Sequence, residues 1–207
     1  MNRRATTGLL AAALVLLAGC STAPATTAAP ATSPAPAGAR ETAAPAPALD
    51  RFAKHADGIL SGGRISADDL PALRAAGIAR VIDLTPDVET PDFDEASAVR
   101  AAGLAYDNLP IAGAADLTPA SVAAFDQLLR DVEGPALVHC ASGNRVGALA
   151  ALRAAWVQGA DEEAAIAEGR RWGLRSLEGE VRTRLARERC LASAQDQDAI
   201  AQCATGG

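Results

Sequence analysis

In the run Cys140-Ala-Ser-Gly-Asn-Arg145, a cysteine, a glycine and an arginine stand at offsets that have a chemistry. A glycine-containing turn between a strand and a helix lets the backbone N–H groups of Ala141, Ser142, Gly143, Asn144 and Arg145 converge above the Cys140 sulfur, and the helix that follows points its positive end there. An anion binds at such a point. The same field favours the thiolate, which makes Cys140 a nucleophile near neutral pH. Arg145 adds a planar, permanently charged fork that grips two oxygens of a phosphate. His139, directly before the cysteine, is expected to orient the strand end. A free cysteine by itself is more often a small buried hydrophobe. The offsets of Gly143 and Arg145 turn the reading towards catalysis.

That chemistry requires a strand ending at the cysteine and a helix starting near the arginine. Ala136-Leu-Val-His-Cys140 reads as the buried strand, and Val146 to Val157 has the Ala/Leu spacing of a helix packed on a sheet. Upstream, Gly58 to Ser61 and Arg80 to Leu84 read as strands, and Leu104 to Leu109 is strand-like until Pro110. Helices are expected from Ser66 to Gly77, from about Asp92 to Ala102, and from Thr118-Pro119 to Gly134-Pro135. Two more follow, over Glu162 to Gly169 and Leu174 to Arg189. The alternation predicts an α/β fold, a single domain with a short, mainly parallel central sheet flanked by helices. Asp83, at a strand end, is placed to support the loop. Trp156, Trp172 and Leu174 are assigned to packing and His55 to the surface. The Arg/Glu mixture from Glu168 to Arg189 reads as a solvated, ion-paired face.

The loop is similar to that of the protein tyrosine and dual-specificity phosphatase superfamily, His-Cys followed by a Gly-rich turn and Arg. More narrowly, the chain resembles the small phosphatase-like domain of bacterial beta-lactamase-hydrolase-like proteins, over residues 52–180. Leu60-Ser-Gly-Gly-Arg64, Val81-Ile-Asp-Leu-Thr-Pro-Asp87, Gly103-Leu-Ala-Tyr106 leading to Leu109-Pro-Ile111, and Val138-His-Cys-Ala-Ser-Gly-Asn-Arg145 carry that resemblance. It implies a phosphate monoester hydrolase working through a phosphocysteine on Cys140. A protein or small molecule carrying phosphate would be the partner, and no metal or other cofactor takes part. An Asp general acid is also implied, Asp116 first and Asp107 second. Four residues separate Cys140 from Arg145, where the superfamily normally has five. Val146 stands where a Ser or Thr is usual, with Ser142 as the available hydroxyl, and Thr85 replaces an expected Arg. The shorter loop also matches rhodanese-type sulfurtransferases, in which the cysteine carries a persulfide. A non-catalytic anion-binding or interaction module is the third reading.

The chain opens with Arg3 and Arg4, an apolar run from Leu9 to Leu17, and small residues before Cys20, which together read as an export signal over residues 1–19. Leu17-Ala18-Gly19-Cys20 resembles a bacterial lipobox, which implies lipidation of Cys20 and an exported protein anchored to a membrane, periplasmic or at the outer membrane if the cell is Gram-negative. Residues 20–50, nearly all Ala, Pro and Thr after Cys20, cannot bury enough surface to order themselves and are read as a tether. The phosphatase-like domain is then expected over 51–189, with a tail at 190–207. Loss of Arg3 and Arg4 with the signal takes the net charge from −6 to −8, so nucleic acid is not an expected partner. Contact with the membrane is expected through the lipid alone, and the domain as a monomer. Cys190 and Cys203, in an oxidising compartment, are expected to form a disulfide. The chain's two histidines, His55 and His139, do not fall at metal-ligand spacing from that pair.

Overall fold

The computed structural model describes residues 49–205. The signal peptide read over 1–19, the lipidation site Cys20 and the tether as far as residue 48 lie outside the described residues. From Leu49 the chain forms five strands: β1 (Ala53–Lys54), β2 (Ile59–Gly62), β3 (Arg80–Asp83), β4 (Ala105–Asn108) and β5 (Ala136–His139). They make one sheet in the order β1-β2-β5-β3-β4, antiparallel only at the β1 edge. Among the described residues seven α-helices accompany it: α1 (Leu70–Ala75), α2 (Glu95–Ala101), α3 (Pro119–Arg130), α4 (Asn144–Trp156), α5 (Glu162–Arg171), α6 (Glu178–Ser193) and α7 (Gln197–Thr205).

The central strand β5 is buried at every position, as a parallel strand covered on both faces must be. Its residues still alternate. Leu137 and Val81 pack with Phe52, Leu73 and Val99 on the face that carries α1 and α2. Val138 and Ile82 pack with Phe125, Leu149 and Ile166 from α3, α4 and α5 on the other. The register then places the site. Gly62 pairs with His139, His139 with Asp83, and Asp83 with Asn108, so one row of residues crosses the carboxyl ends of four parallel strands. Cys140 is the next residue on the innermost of them. Ligands of open α/β sheets bind at that edge.

Local signals set most helix ends. Ser66 and Asp69 form a capping box ahead of α1, and the Thr118 hydroxyl accepts from Ser121 N–H at 3.1 Å to start α3 at Pro119. Asp94 caps α2, which therefore begins at Glu95 and not at Asp92. The last helices differ most from expectation. Helix α6 begins at Glu178, because Leu174 to Leu177 forms a turn whose Arg175 and Leu177 N–H groups donate to Asn144 Oδ1. Helix α7 occupies the segment read as a polar tail, and a Cys190–Cys203 disulfide joins it to α6. His55 is no ordinary surface residue: it stacks on Trp172 with ring centroids 4.0 Å apart, and its Nε2 bonds the Ser61 hydroxyl at 2.8 Å.

Candidate active site

The loop after β5 is clamped from the side by the chain that continues β2. Cys140 N–H donates to Gly62 C=O, Arg64 N–H donates to Ala141 C=O, and Gly63 bridges Ser142. Gly143 closes the turn at φ +85°, a conformation that favours glycine, and a Cβ there would stand 3.4 Å from the Gly62 carbonyl. Its N–H points inward and reaches the Cys140 sulfur at 3.2 Å. Arg145, in the first turn of α4, brings its guanidinium back towards the same place, close enough for its charge to interact with Cys140. The sulfur itself has no exposed surface and lies at the floor of the turn, in contact with the core on the α4 side. Ala141 and Ser142 form the exposed rim.

Arg145 is only 9% exposed, and every bond it makes is to a fixed partner. Its two terminal nitrogens meet the two oxygens of Glu89 at 2.8 and 2.7 Å, and one of them also donates to Ile111 C=O at 2.5 Å. Glu89, on the turn after β3, holds the guanidinium charge above its ordinary strength, with burial opposing and Cys140 adding to the effect. The same hydrogen bond depresses the Glu89 carboxyl below the usual glutamate value. Nothing in the sequence marked Glu89. The signal available was an acid a few residues beyond the strand that ends beside Cys140.

Beneath the loop lies a second polar cluster. His139 Nε2 meets Glu95 Oε1 at 2.6 Å and stands 3.7 Å from Asp83 Oδ1, all three side chains being buried. Asp83 accepts from Thr85 N–H at 2.7 Å and from the Tyr106 hydroxyl at 3.0 Å, while Asn108 Nδ2 donates to the Asp83 and Thr85 carbonyls. Burial first, then Asp83, pushes the Tyr106 hydroxyl well above its ordinary pKa. Asp83 thus ties the β3 turn, which carries Glu89, to β4. His139 is oriented by Glu95 from α2, a residue outside the predicted set. The ligand-type atoms of Asp83, Glu95 and His139 lie within 4.8 Å of one another; His139 Nε2 is bonded to Glu95, while its Nδ1 is buried without a partner.

The remaining predicted residues separate by position. Asp116 sits on the loop whose Ile111 carbonyl touches Arg145, and its Oδ2 accepts from Ala112 and Gly113 N–H at 2.7 and 3.3 Å. Arg184 of α6 donates to Ala114 C=O and steadies that loop. Asp107 is ion-paired with Arg80 at 2.6 Å on β3 and β4. The Asn144 side chain is turned away from the anion position, with Oδ1 on Arg175 N–H and Nδ2 on the Ser176 hydroxyl. Val146 is fully buried in the core, and the Thr85 hydroxyl is buried without a partner.

A parallel sheet whose central strand ends in a Cys-to-Arg turn that leads into a helix defines the fold of the cysteine phosphatases. TpbA of P. aeruginosa, in complex with pTyr, superposes with a TM-score of 0.51 at 20% identity, over 75% of this chain and 91% of that one. A candidate phosphatase from Neisseria meningitidis does so with a TM-score of 0.52 at 21% identity, over 60% and 91%. The model of the family "Beta-lactamase hydrolase-like protein, phosphatase-like domain" matches residues 54–157, and the chain belongs to that family. Beta-lactamase hydrolase-like proteins of Agrobacterium fabrum and Xylella fastidiosa are 38% and 37% identical over 81 and 94 residues, which are 37% and 44% of this chain. The matched regions are 19% and 22% of those relatives, so the chain corresponds to about a fifth of their length.

Proposed function

We propose that the domain hydrolyses phosphate monoesters with Cys140 as nucleophile. The observation that carries this reading is the turn at the carboxyl edge of the sheet, where the Gly143 N–H meets the Cys140 sulfur at 3.2 Å and Arg145, five residues on, is anchored by Glu89 and the Ile111 carbonyl. Cys140 Sγ attacks phosphorus. The S–P bond forms as the bond to the leaving oxygen breaks, and Asp116 gives that oxygen its proton. The loop amides and Arg145 hold the remaining phosphoryl oxygens, whose charge they follow into the transition state. Water then attacks phosphorus, Asp116 takes its proton, and the thiolate leaves. Glu89 and the Ile111 carbonyl hold the guanidinium plane in place beforehand, so little reorganisation is needed when the phosphate arrives. Ser142, on the exposed rim, is the hydroxyl available to the leaving thiolate in place of Val146.

TpbA was crystallised with pTyr, and an aryl phosphate is the appropriate first probe. Release of phosphate from p-nitrophenyl phosphate is expected, with none from Cys140→Ser. Thiocyanate formed from thiosulfate and cyanide, with no phosphate release, would transfer the site to persulfide chemistry on the same loop. We propose further that the domain works outside the cytoplasm, held to a membrane by lipid on Cys20.

A further inference from the structure

We infer that a cleft beside the Cys140 loop is a second anion subsite, which takes a further phosphate group of the substrate. The inference rests on the phosphatase reading and names its substrate class: compounds with two phosphates close together. The cleft holds about 300 Å³ and is lined by Arg51, Arg170, Arg171 and Arg175, with no carboxylate among its lining residues. In a chain of net charge −6, every charged side chain that lines this cleft is positive. Like charges on low-dielectric walls focus a field that draws in anions.

The arginines are held from outside. Arg51 pairs with Asp69 at 2.8 Å, Arg170 binds Glu178 through two nitrogens at 2.8 and 2.7 Å, and Arg171 pairs with Glu168. Each such pair uses one or two of the five N–H donors that a guanidinium carries, which leaves donors for a ligand. Arg175 is exposed and enters none of the ion pairs among the described residues. Ser61 and Trp172 also line the cleft, and the His55 stack and the Ser61-to-Trp172 carbonyl bond at 3.3 Å keep them in place.

Position links this cleft to the nucleophile. Ser142 and Gly143 line it, and Gly143 N–H is the group that touches the sulfur. Fully extended, the chain from Cys140 to Gly143 spans at most about 11 Å. A hexose or inositol ring carrying two phosphates can therefore place one over the sulfur and the other among the arginines, crossing the rim at Ser142.

The test compares kcat/KM for fructose 1,6-bisphosphate and p-nitrophenyl phosphate in the full chain. The ratio is expected to fall by about tenfold or more in the double variant Arg171→Glu/Arg175→Glu, and to hold in Arg187→Glu, whose arginine lies outside the cleft; about 1.4 kcal/mol corresponds to that factor. An unchanged ratio in the double variant overturns the subsite. Calorimetry of inositol hexakisphosphate with Cys140→Ser keeps the two readings apart. Binding that weakens with the two charge reversals, in a chain that hydrolyses no phosphoester, leaves the cleft standing and removes the catalysis. Aryl phosphate turnover with no arginine-dependent binding removes the cleft alone. Vesicles containing phosphatidylinositol 4-phosphate decide the source: arginine-dependent hydrolysis there, with none of the soluble bisphosphate, assigns the second phosphate to a lipid headgroup.

Discussion

Arg145 has two partners that compete for its charge. Glu89 takes both terminal nitrogens, and the Cys140 side chain stands beside the same guanidinium. A lysine keeps the charge but cannot make the paired contact. Arg145→Lys is therefore expected to lower kcat/KM on an aryl phosphate by roughly 100-fold, the scale of losing one preorganised donor. Glu89 gives a pH signature. Its folded pKa lies below its unfolded value of 4.5, so its contribution to stability is complete above that pH and is lost as pH falls through the folded value. The stability gap between the native chain and Glu89→Gln, read by urea unfolding, should thus be widest at neutral pH and narrow below about 4.5. A gap that stays constant into the acid range would show the pair to be without consequence for folding.

Between elements, the tightest approach is where α4 crosses the end of α5. A Cβ on Gly147 would stand 2.0 Å from the Leu174 nitrogen and 2.6 Å from the Gly169 carbonyl, backbone atoms that cannot yield. Gly147→Ala is expected to cost about 3 kcal/mol, the upper range for overpacking, and to shift the Cys140 loop, since Gly143 and Gly147 share one helical hydrogen bond. Gly179, on α6, has open space around it, and there alanine should stabilise by about 0.5 kcal/mol. Equilibrium unfolding of both variants makes the comparison. The Cys190–Cys203 bond closes a short segment between α6 and α7, far in sequence from the Cys140 loop. Replacing both cysteines by serine should cost up to about 3 kcal/mol in the chain-entropy view. Hydrogen exchange should rise in α7 while turnover of aryl phosphate holds.

For the molecule as a whole, the anchoring proposal has a direct consequence. If Cys20 carries lipid, Cys20→Ala should move the protein from the membrane fraction to the soluble fraction, with activity per mole retained; a protein already soluble before the change would remove the anchor. The acidic surface acts at the same scale. A chain of net charge −6 repels polyanions in general, so the arginine-lined cleft beside the Cys140 loop is where attraction for a second phosphate is expected. Salt should weaken bisphosphate turnover more than that of an aryl monophosphate, because exposed charges are screened within about a Debye length.

Patterns local to the chain were legible from residue order. The buried strand up to His139, the turn that needs glycine at Gly143, the capped starts of α1 and α3, and the parallel α/β class follow from period, propensity and turn chemistry, which act over a few neighbouring positions. Family membership was legible too, from four short segments spread between Leu60 and Arg145. What depends on contacts between distant segments was not legible. Glu89 reaches Arg145 across 56 positions, Glu95 reaches His139 across 44, and Ser61 bonds Trp172 across 111. By type alone, any of the chain's 25 Asp and Glu residues could have filled the first two roles. The sheet register chose between them, because it sets Gly62, His139, Asp83 and Asn108 in one row and thereby decides which turns meet above the sulfur.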